Sequence, residues 1–150
     1  MDKWQDAEEY VDKALELFER GRWAEAEHEL RRALEIDPDQ GDWHFNLGLT
    51  LERTERDAEA LACFEQASRL LPDAVDPKLA MGATSLRMSR FRNAEKHLEA
   101  ALSMKQTIES AWSMLIDAQS ALGKYDQALT SFYLSQDALS DESSLVLVAM

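Results

Sequence analysis

Residues 46–72, NLGLTLERTERDAEALACFEQASRLLP, contain the pattern on which the prediction of the fold rests. Shifting this stretch by 34 residues in either direction finds the same classes of residue at the same places. One column of the repeat holds Ala26, Ala60, Ala94 and Ala128, a second holds Leu30, Phe64, Leu98 and Phe132, and a third holds Ala33, Ala67, Ala101 and Ser135. Because the 34-residue period never slips across residues 7–142, the sequence predicts four copies of one structural unit.

Each copy is predicted to contain two amphipathic helices. Apolar residues between 4 and 18 recur at the i, i+3, i+4, i+7 spacing of one helical face. A second helix is expected over about residues 23–36, ending before Pro38, since proline disfavours helix in the residue that precedes it. The later pairs are expected at about 42–54 and 57–70, 76–88 and 91–104, and 109–122 and 125–138. Such short connections make the helices of a pair antiparallel.

The composition of the chain argues against several classes of protein. Sixteen basic residues against 29 acidic ones give a net charge of −13, which argues against binding to nucleic acid or to an anionic membrane surface. One cysteine cannot form an internal disulfide and fits a reducing compartment, so we expect a cytoplasmic protein. Eight Gly and Pro residues in all are too few for an all-β chain.

These residues resemble the tetratricopeptide repeat, whose 34-residue unit carries Leu-Gly in its first helix and Ala, an aromatic or Leu, and Ala in its second. Asn46-Leu47-Gly48, Ala60, Phe64, Ala67 and Pro72 carry the resemblance best. It implies an all-α fold, a right-handed α-α superhelix of four antiparallel helix pairs plus a C-terminal apolar segment. Residues 1–150 would form a single domain with repeats at about 7–40, 41–74, 75–108 and 109–142.

The resemblance also implies a function, because in this family the first helix of each pair lines a concave binding surface. We therefore expect a protein–protein interaction scaffold that binds a peptide or helix with apolar anchors and Lys or Arg flanks. The partner-binding residues predicted in this way are Val11, Leu15, Phe18, Phe45, Leu49, Glu52, Arg53, Leu79, Leu86, Arg87 and Asp117.

Two alternatives stay open at this stage. The apolar groove could instead be covered, either by the apolar ending at residues 145–150 or by a second copy of the chain, making a self-associating structural module. The small acidic chain is also similar to the chaperones of type III secretion. Residues 143–150 are expected to be a capping segment or a truncated fifth repeat.

No catalytic chemistry is predicted. His28, His44 and His97 share no column and have no partner at a metal-ligand spacing, and the glycines form no phosphate-binding loop. We therefore expect a non-enzyme without cofactor or metal. A row of bases at positions 22, 56, 90 and 124 follows the first helix of each repeat. An anionic partner could explain this row, but the interaction of cations with helix C-termini explains it more simply.

Overall fold

The computed structural model describes residues 3–148, with side chains to residue 140. In this range the chain forms eight α-helices and no strand: α1 (Lys3–Glu19), α2 (Trp23–Ile36), α3 (Gly41–Arg53), α4 (Asp57–Leu70), α5 (Val75–Arg87), α6 (Phe91–Met104), α7 (Glu109–Ala121) and α8 (Tyr125–Val148). Helices α2 to α7 begin and end within one residue of the predicted bounds. The chain divides into an N-terminal unit that ends at Pro77 and a C-terminal unit that begins at Lys78.

Helix α8 is longer than predicted. It runs to Val148 without the turn that the 34-residue period places near residues 139–142. The backbone of 143–148 therefore continues α8, while the side chains beyond 140 and residues 149–150 lie outside the described part of the chain. Its role as a cap or as a truncated repeat stays a prediction.

The turn inside each repeat has the same backbone conformation. Gly21, Glu55, Ser89 and Gly123 stand 34 residues apart, and all four have a φ between 57° and 75°. The next residue in each case donates its backbone N–H to a carbonyl five residues earlier, as Arg56 does to Leu51 at 3.1 Å. This is the Schellman ending of a helix, in which a left-handed residue satisfies carbonyls that would otherwise be unpaired.

The two helices of a repeat approach closely at a glycine. A Cβ built on Gly48 would lie 2.5 Å from the ring of Phe64, and one on Gly82 would lie 2.6 Å from Leu98. Phe64 and Leu98 are fully buried, as are the alanines of the two neighbouring columns in the first three repeats. In the fourth repeat Ile116 occupies the glycine position, and Phe132 is 44% exposed. At Gly48 and Gly82 the missing Cβ leaves room for Phe64 and Leu98, whereas in the first repeat Ala14 holds the same position and Leu30 is still only 1% exposed.

Replacing Gly48 by Ala is expected to destabilise the chain by about 2 kcal/mol, because an added methyl overpacks a fixed ring. This loss exceeds the gain in helix propensity, which is about 1 kcal/mol. Urea unfolding of Gly48→Ala, Phe64→Ala and the double variant measures it. The cost should shrink when Phe64 is already Ala; a Gly48→Ala protein as stable as the parent would contradict the packing described.

Replacing Glu55 by Gly is expected to stabilise the chain by about 1 kcal/mol, since a left-handed conformation costs an L-residue about that much. Ser89→Gly should behave in the same way. Glu65→Gly, at an exposed position inside α4, serves as the control and should destabilise by about 1 kcal/mol. Thermal unfolding of the three variants compares them, and a destabilised Glu55→Gly would exclude the proposed strain.

Candidate functional site

An apolar pocket opens between α1 and α3 in the N-terminal unit. Its volume is about 190 Å³. Both helices reach it with successive turns of one face, and α2 closes it from below with a buried leucine. The lining residues are Ala14, Leu15, Phe18, Leu30, Asn46, Leu49 and Thr50. The Thr50 hydroxyl donates to the backbone carbonyl of Asn46 at 2.8 Å, which leaves the Asn46 amide as the polar group of the wall.

A cation stands beside this pocket. The guanidinium carbon of Arg53 lies 5.7 Å from the centre of the Phe18 ring and 5.6 Å from that of Trp23. The two rings themselves meet edge to face with their centres 4.9 Å apart. Cation–π contacts of this kind orient a guanidinium without neutralising it. The pocket therefore combines apolar walls with an oriented positive charge at one end.

The structure places the predicted residues of the N-terminal unit at different depths. Leu15, Phe18 and Leu49 line the pocket together, and Leu15 is 42% exposed. Glu52 is partly exposed, whereas Arg53 is exposed.

Two residues of this predicted group serve mainly the interior. Val11 is 8% exposed and packs with Ala7, Ala33 and Trp43, so it belongs to the core and not to the surface. Phe45 is half-buried, with its ring 5.5 Å from the ring of Phe64.

The remaining predicted residues lie in the C-terminal unit. Leu79 and Leu86 are partly buried and pack on the cluster that contains Leu98 and Leu115. Arg87 is exposed and donates to the Thr84 hydroxyl at 3.2 Å, and Asp117 is exposed on α7. These residues provide partly exposed apolar groups and two opposite charges on α5 and α7.

Four pocket residues were absent from the predicted set: Ala14, Leu30, Asn46 and Thr50. A usable signal existed for Asn46, which shares one helical face with Leu49 and Arg53 at the i, i+3, i+7 spacing. Thr50 is almost fully buried, and its hydroxyl donates to the Asn46 carbonyl.

A larger recess, about 450 Å³, lies on another side of the N-terminal unit. Its wall contains Cys63, whose pKa is raised by burial, so the thiol stays protonated at neutral pH and is a poor nucleophile. Arg31 and Glu35 stand in the same wall, and Arg31 is already paired with Glu27 at 3.0 Å. The pocket between α1 and α3 is smaller than this recess but more apolar, and its wall contains the exposed Leu15. The pocket is therefore the better candidate for a binding site.

The described part of the chain has neither a metal-binding cluster nor a membrane span. It contains no group of three or more His, Cys, Asp or Glu side chains placed to hold a metal ion. None of its helices has the length and hydropathy of a membrane span.

The family model of the tetratricopeptide repeat matches residues 3–75 and 79–142. The chain belongs to the tetratricopeptide repeat family. This match, together with the eight helices of residues 3–148, confirms the predicted all-α tetratricopeptide fold.

Two relatives show how much of a longer protein this chain corresponds to. The tetratricopeptide repeat-containing protein trd-1 of Caenorhabditis elegans is 27% identical over 113 residues, which are 75% of this chain and 14% of the relative. The peroxisomal targeting signal receptor of Eremothecium gossypii is 29% identical over 100 residues, which are 67% of this chain and 16% of the relative. The chain thus spans about one-seventh of the length of these relatives.

Solved tetratricopeptide structures share the fold. A crystal structure of MamA superposes with a TM-score of 0.87 at 16% identity, covering 93% of this chain and 81% of the other. The first tetratricopeptide domain of Spaghetti, bound to an HSP90 peptide, gives 0.75 at 21% identity and covers 79% and 94%. YrrB, described as having an unusual peptide-binding site, gives 0.78 at 21% identity and covers 86% and 66%. At these identities the similarity shows the fold alone.

The row of bases after the first helices has structural partners within these repeats. Arg56 donates to both carboxylate oxygens of Glu27 at 2.8 Å, and Lys124 donates to Glu95 at 2.7 Å. Each pair joins residues 29 apart, so it connects one repeat to the next. Arg22 pairs within its own repeat, with Glu25 at 2.6 Å. These three basic residues therefore have carboxylate partners within the chain, while their interaction with helix C-termini stays an expectation.

Glu27→Gln is expected to destabilise the chain by about 1 kcal/mol at pH 7, because a partly buried ion pair loses its charge. Burial works to raise the pKa of Glu27, but hydrogen bonds from Arg56 and Arg31 and their charges outweigh it, so this pKa is lowered. A lowered pKa contributes stability above the ordinary Glu value and loses it as the pH falls through the folded value. The difference from wild type should therefore vanish in acid.

Urea unfolding of both proteins measures this difference in the free energy of unfolding. The series starts at pH 7 and is lowered in steps to below about pH 4. Glu25→Gln is the control, since both partners of that pair are about half exposed and the change should be close to zero. An equal cost of Glu27→Gln at every pH would show that charge is not what holds this contact.

Proposed function

We propose that this chain is a protein–protein interaction module that binds a peptide or helix of a partner protein with apolar anchors. The observation that carries the proposal is the pocket between α1 and α3, about 190 Å³ in volume and lined by Leu15, Phe18 and Leu49. A cavity of roughly 150 Å³ with comparable walls binds benzene, so this pocket has room for a large apolar side chain.

The polar groups around the pocket suggest how a bound segment is oriented. The Asn46 amide can donate to or accept from a peptide backbone group, and Arg53 can donate to a carbonyl or carboxylate next to the anchor. The net charge of −13 favours partners with Lys or Arg outside the anchor, and Glu52 is the carboxylate of the N-terminal unit proposed to meet them. Binding would thus rest on one buried anchor surrounded by polar contacts.

Further contacts are proposed on the C-terminal unit, from Leu79, Leu86, Arg87 and Asp117. Leu79 and Leu86 are only partly buried and could meet an apolar side chain. The exposed Arg87 and Asp117 could pair with opposite charges of the partner.

The names of related proteins support the same class of function. The Spaghetti domain was solved with an HSP90 peptide, and YrrB is described by a peptide-binding site. The peroxisomal receptor is named for a targeting signal. Scaffolds of stacked repeats use extended surfaces for such binding.

The test is selection of peptides from a random display library on the full chain. We expect the enriched sequences to share one large apolar residue with Lys or Arg nearby. Affinity of a selected peptide for Leu15→Ser/Leu49→Ser should fall at least about tenfold, because each lost apolar contact costs about 1 kcal/mol or more. Fluorescence anisotropy of the labelled peptide measures the dissociation constant.

Met104→Ser/Leu134→Ser is the matched control, since it removes two exposed apolar side chains that do not line the pocket. It should bind the selected peptides as the wild type does. Circular dichroism should show equal helicity in both variants. Equal affinity of the peptide for the two variants would show that the binding site is not this pocket. Failure to enrich any peptide would count against the proposed function.

A further inference from the structure

A basic recess, which we call the α6 recess, lies in the C-terminal unit, where the turn between α5 and α6 meets the end of α7. Its volume is about 310 Å³. No acidic side chain lines it, and its walls consist of Ser89, Arg90, Phe91, Arg92, Asn93 and Leu122. The two arginines and the asparagine are exposed, while Phe91 and Leu122 are half-buried. The recess therefore combines two guanidiniums and an amide with apolar walls.

One of these arginines belongs to the row of bases that follows the first helix of each repeat. In the other three repeats the base is paired with a carboxylate that lies three residues after it or 29 residues before it. Arg56 has both partners, Glu59 and Glu27. For Arg90 the same two positions hold an asparagine and a leucine. Arg90 is therefore the member of the row whose partner positions hold no carboxylate.

A second cation stands at the same recess. Position 92 is an arginine, whereas the same column of the repeat holds Ala24, Ala58 and Asp126. Within residues 3–140, neither Arg90 nor Arg92 forms an ion pair with another side chain. No carboxylate of this part of the chain therefore neutralises the two guanidiniums.

The sequence around the recess also lacks acids. Residues 77–94 contain no Asp or Glu, and this is the longest such stretch in a chain with 29 acidic residues. Among the eight helices of residues 3–148, α6 alone has no acid in its first turn. The partial positive charge of this helix end is thus not offset, and it adds to the charge of the arginines.

The acidic character of the whole chain limits the kind of anion that can bind there. The net charge of −13 repels extended polyanions. Exposed charges more than about 8 Å away are largely screened at physiological ionic strength, so the nearby cations decide the binding of a small group. The charges therefore favour a compact anion.

We propose that the α6 recess binds a phosphorylated side chain of a partner protein. A phosphate monoester carries a charge of about −1.5 to −2 at pH 7, which matches two guanidiniums, and each of these can donate two parallel hydrogen bonds to it. A single carboxylate would neutralise only one of them. Phe91 and Leu122 can pack on the carbon atoms of the phosphorylated residue, and the Asn93 amide can bond its backbone. The recess shares no residue with the pocket between α1 and α3, so this site is additional to that pocket.

The test is a degenerate library of phosphoserine, phosphothreonine and phosphotyrosine peptides, screened on the full chain. Fluorescence anisotropy then compares an enriched peptide with its unphosphorylated form and with a form that has Glu at the phosphorylated position. The phosphorylated peptide should bind at least about tenfold more tightly than either, because the other two lose charge-assisted hydrogen bonds. Failure to enrich a peptide, or equal affinity of the Glu form, would overturn the proposal. Inorganic phosphate that binds as tightly as the peptide would overturn it too, since the site would then take free phosphate.

The variant Arg90→Gln/Arg92→Gln should weaken binding of the phosphorylated peptide at least about tenfold. Its matched control is Arg69→Gln/Lys105→Gln, which removes the same amount of charge at two exposed positions that do not line the recess. The control should bind as the wild type does, and circular dichroism should show equal helicity in both variants. An equal loss of affinity in the two variants would show that the total charge of the chain governs binding, and would contradict the proposal.

A second variant closes the recess without removing an arginine. Asn93→Glu supplies the acid that the first two repeats have at this position, Glu25 and Glu59. The new carboxylate should pair with Arg90 and weaken binding of the phosphorylated peptide at least about tenfold, while urea unfolding shows no loss of stability. Gln136→Glu adds the same charge at an exposed position of α8 and should leave the affinity unchanged. Wild-type affinity in Asn93→Glu would exclude the α6 recess as the phosphate site.

Discussion

The close contact between the two helices of a repeat is the constraint on which the rest of the structure depends. At Gly48 and Gly82 the absence of a Cβ lets Phe64 and Leu98 insert completely. A side chain there would separate the helices, because protein interiors have no spare volume to absorb it. Beside this contact part of each first helix stays uncovered, and between α1 and α3 the pocket forms there, with Ala14 and Leu30 in its wall.

The turn residues maintain this geometry from one repeat to the next. A left-handed residue ends each first helix, and the base that follows donates its backbone N–H to the helix it leaves. The side chains of Arg56 and Lys124 then reach a carboxylate in the preceding repeat. At Arg56 and Lys124 one basic residue thus ends a helix and connects two repeats, whereas Arg22 pairs with Glu25 in its own repeat.

The chemistry of the pocket fits the kind of partner proposed for it. The pocket combines leucine and phenylalanine with an amide and an oriented guanidinium, a mixture that suits a polypeptide with its own polar backbone.

The sequence alone predicted the repeat, the helix pairs and their bounds. It could do so because the spacing of apolar and small residues marks the faces of a helix, and turn residues mark its ends. The sequence did not show how deeply each side chain is buried. Val11 and Leu15 share a face of α1, yet neighbours from α2 and α3 bury the first, while the second remains exposed. The pairing of Arg56 with Glu27 and the place of Asn46 in the pocket wall likewise became visible only in the folded chain. Each depends on contacts between helices, and the periodicity of a single helix carries no information about how far a neighbour covers it.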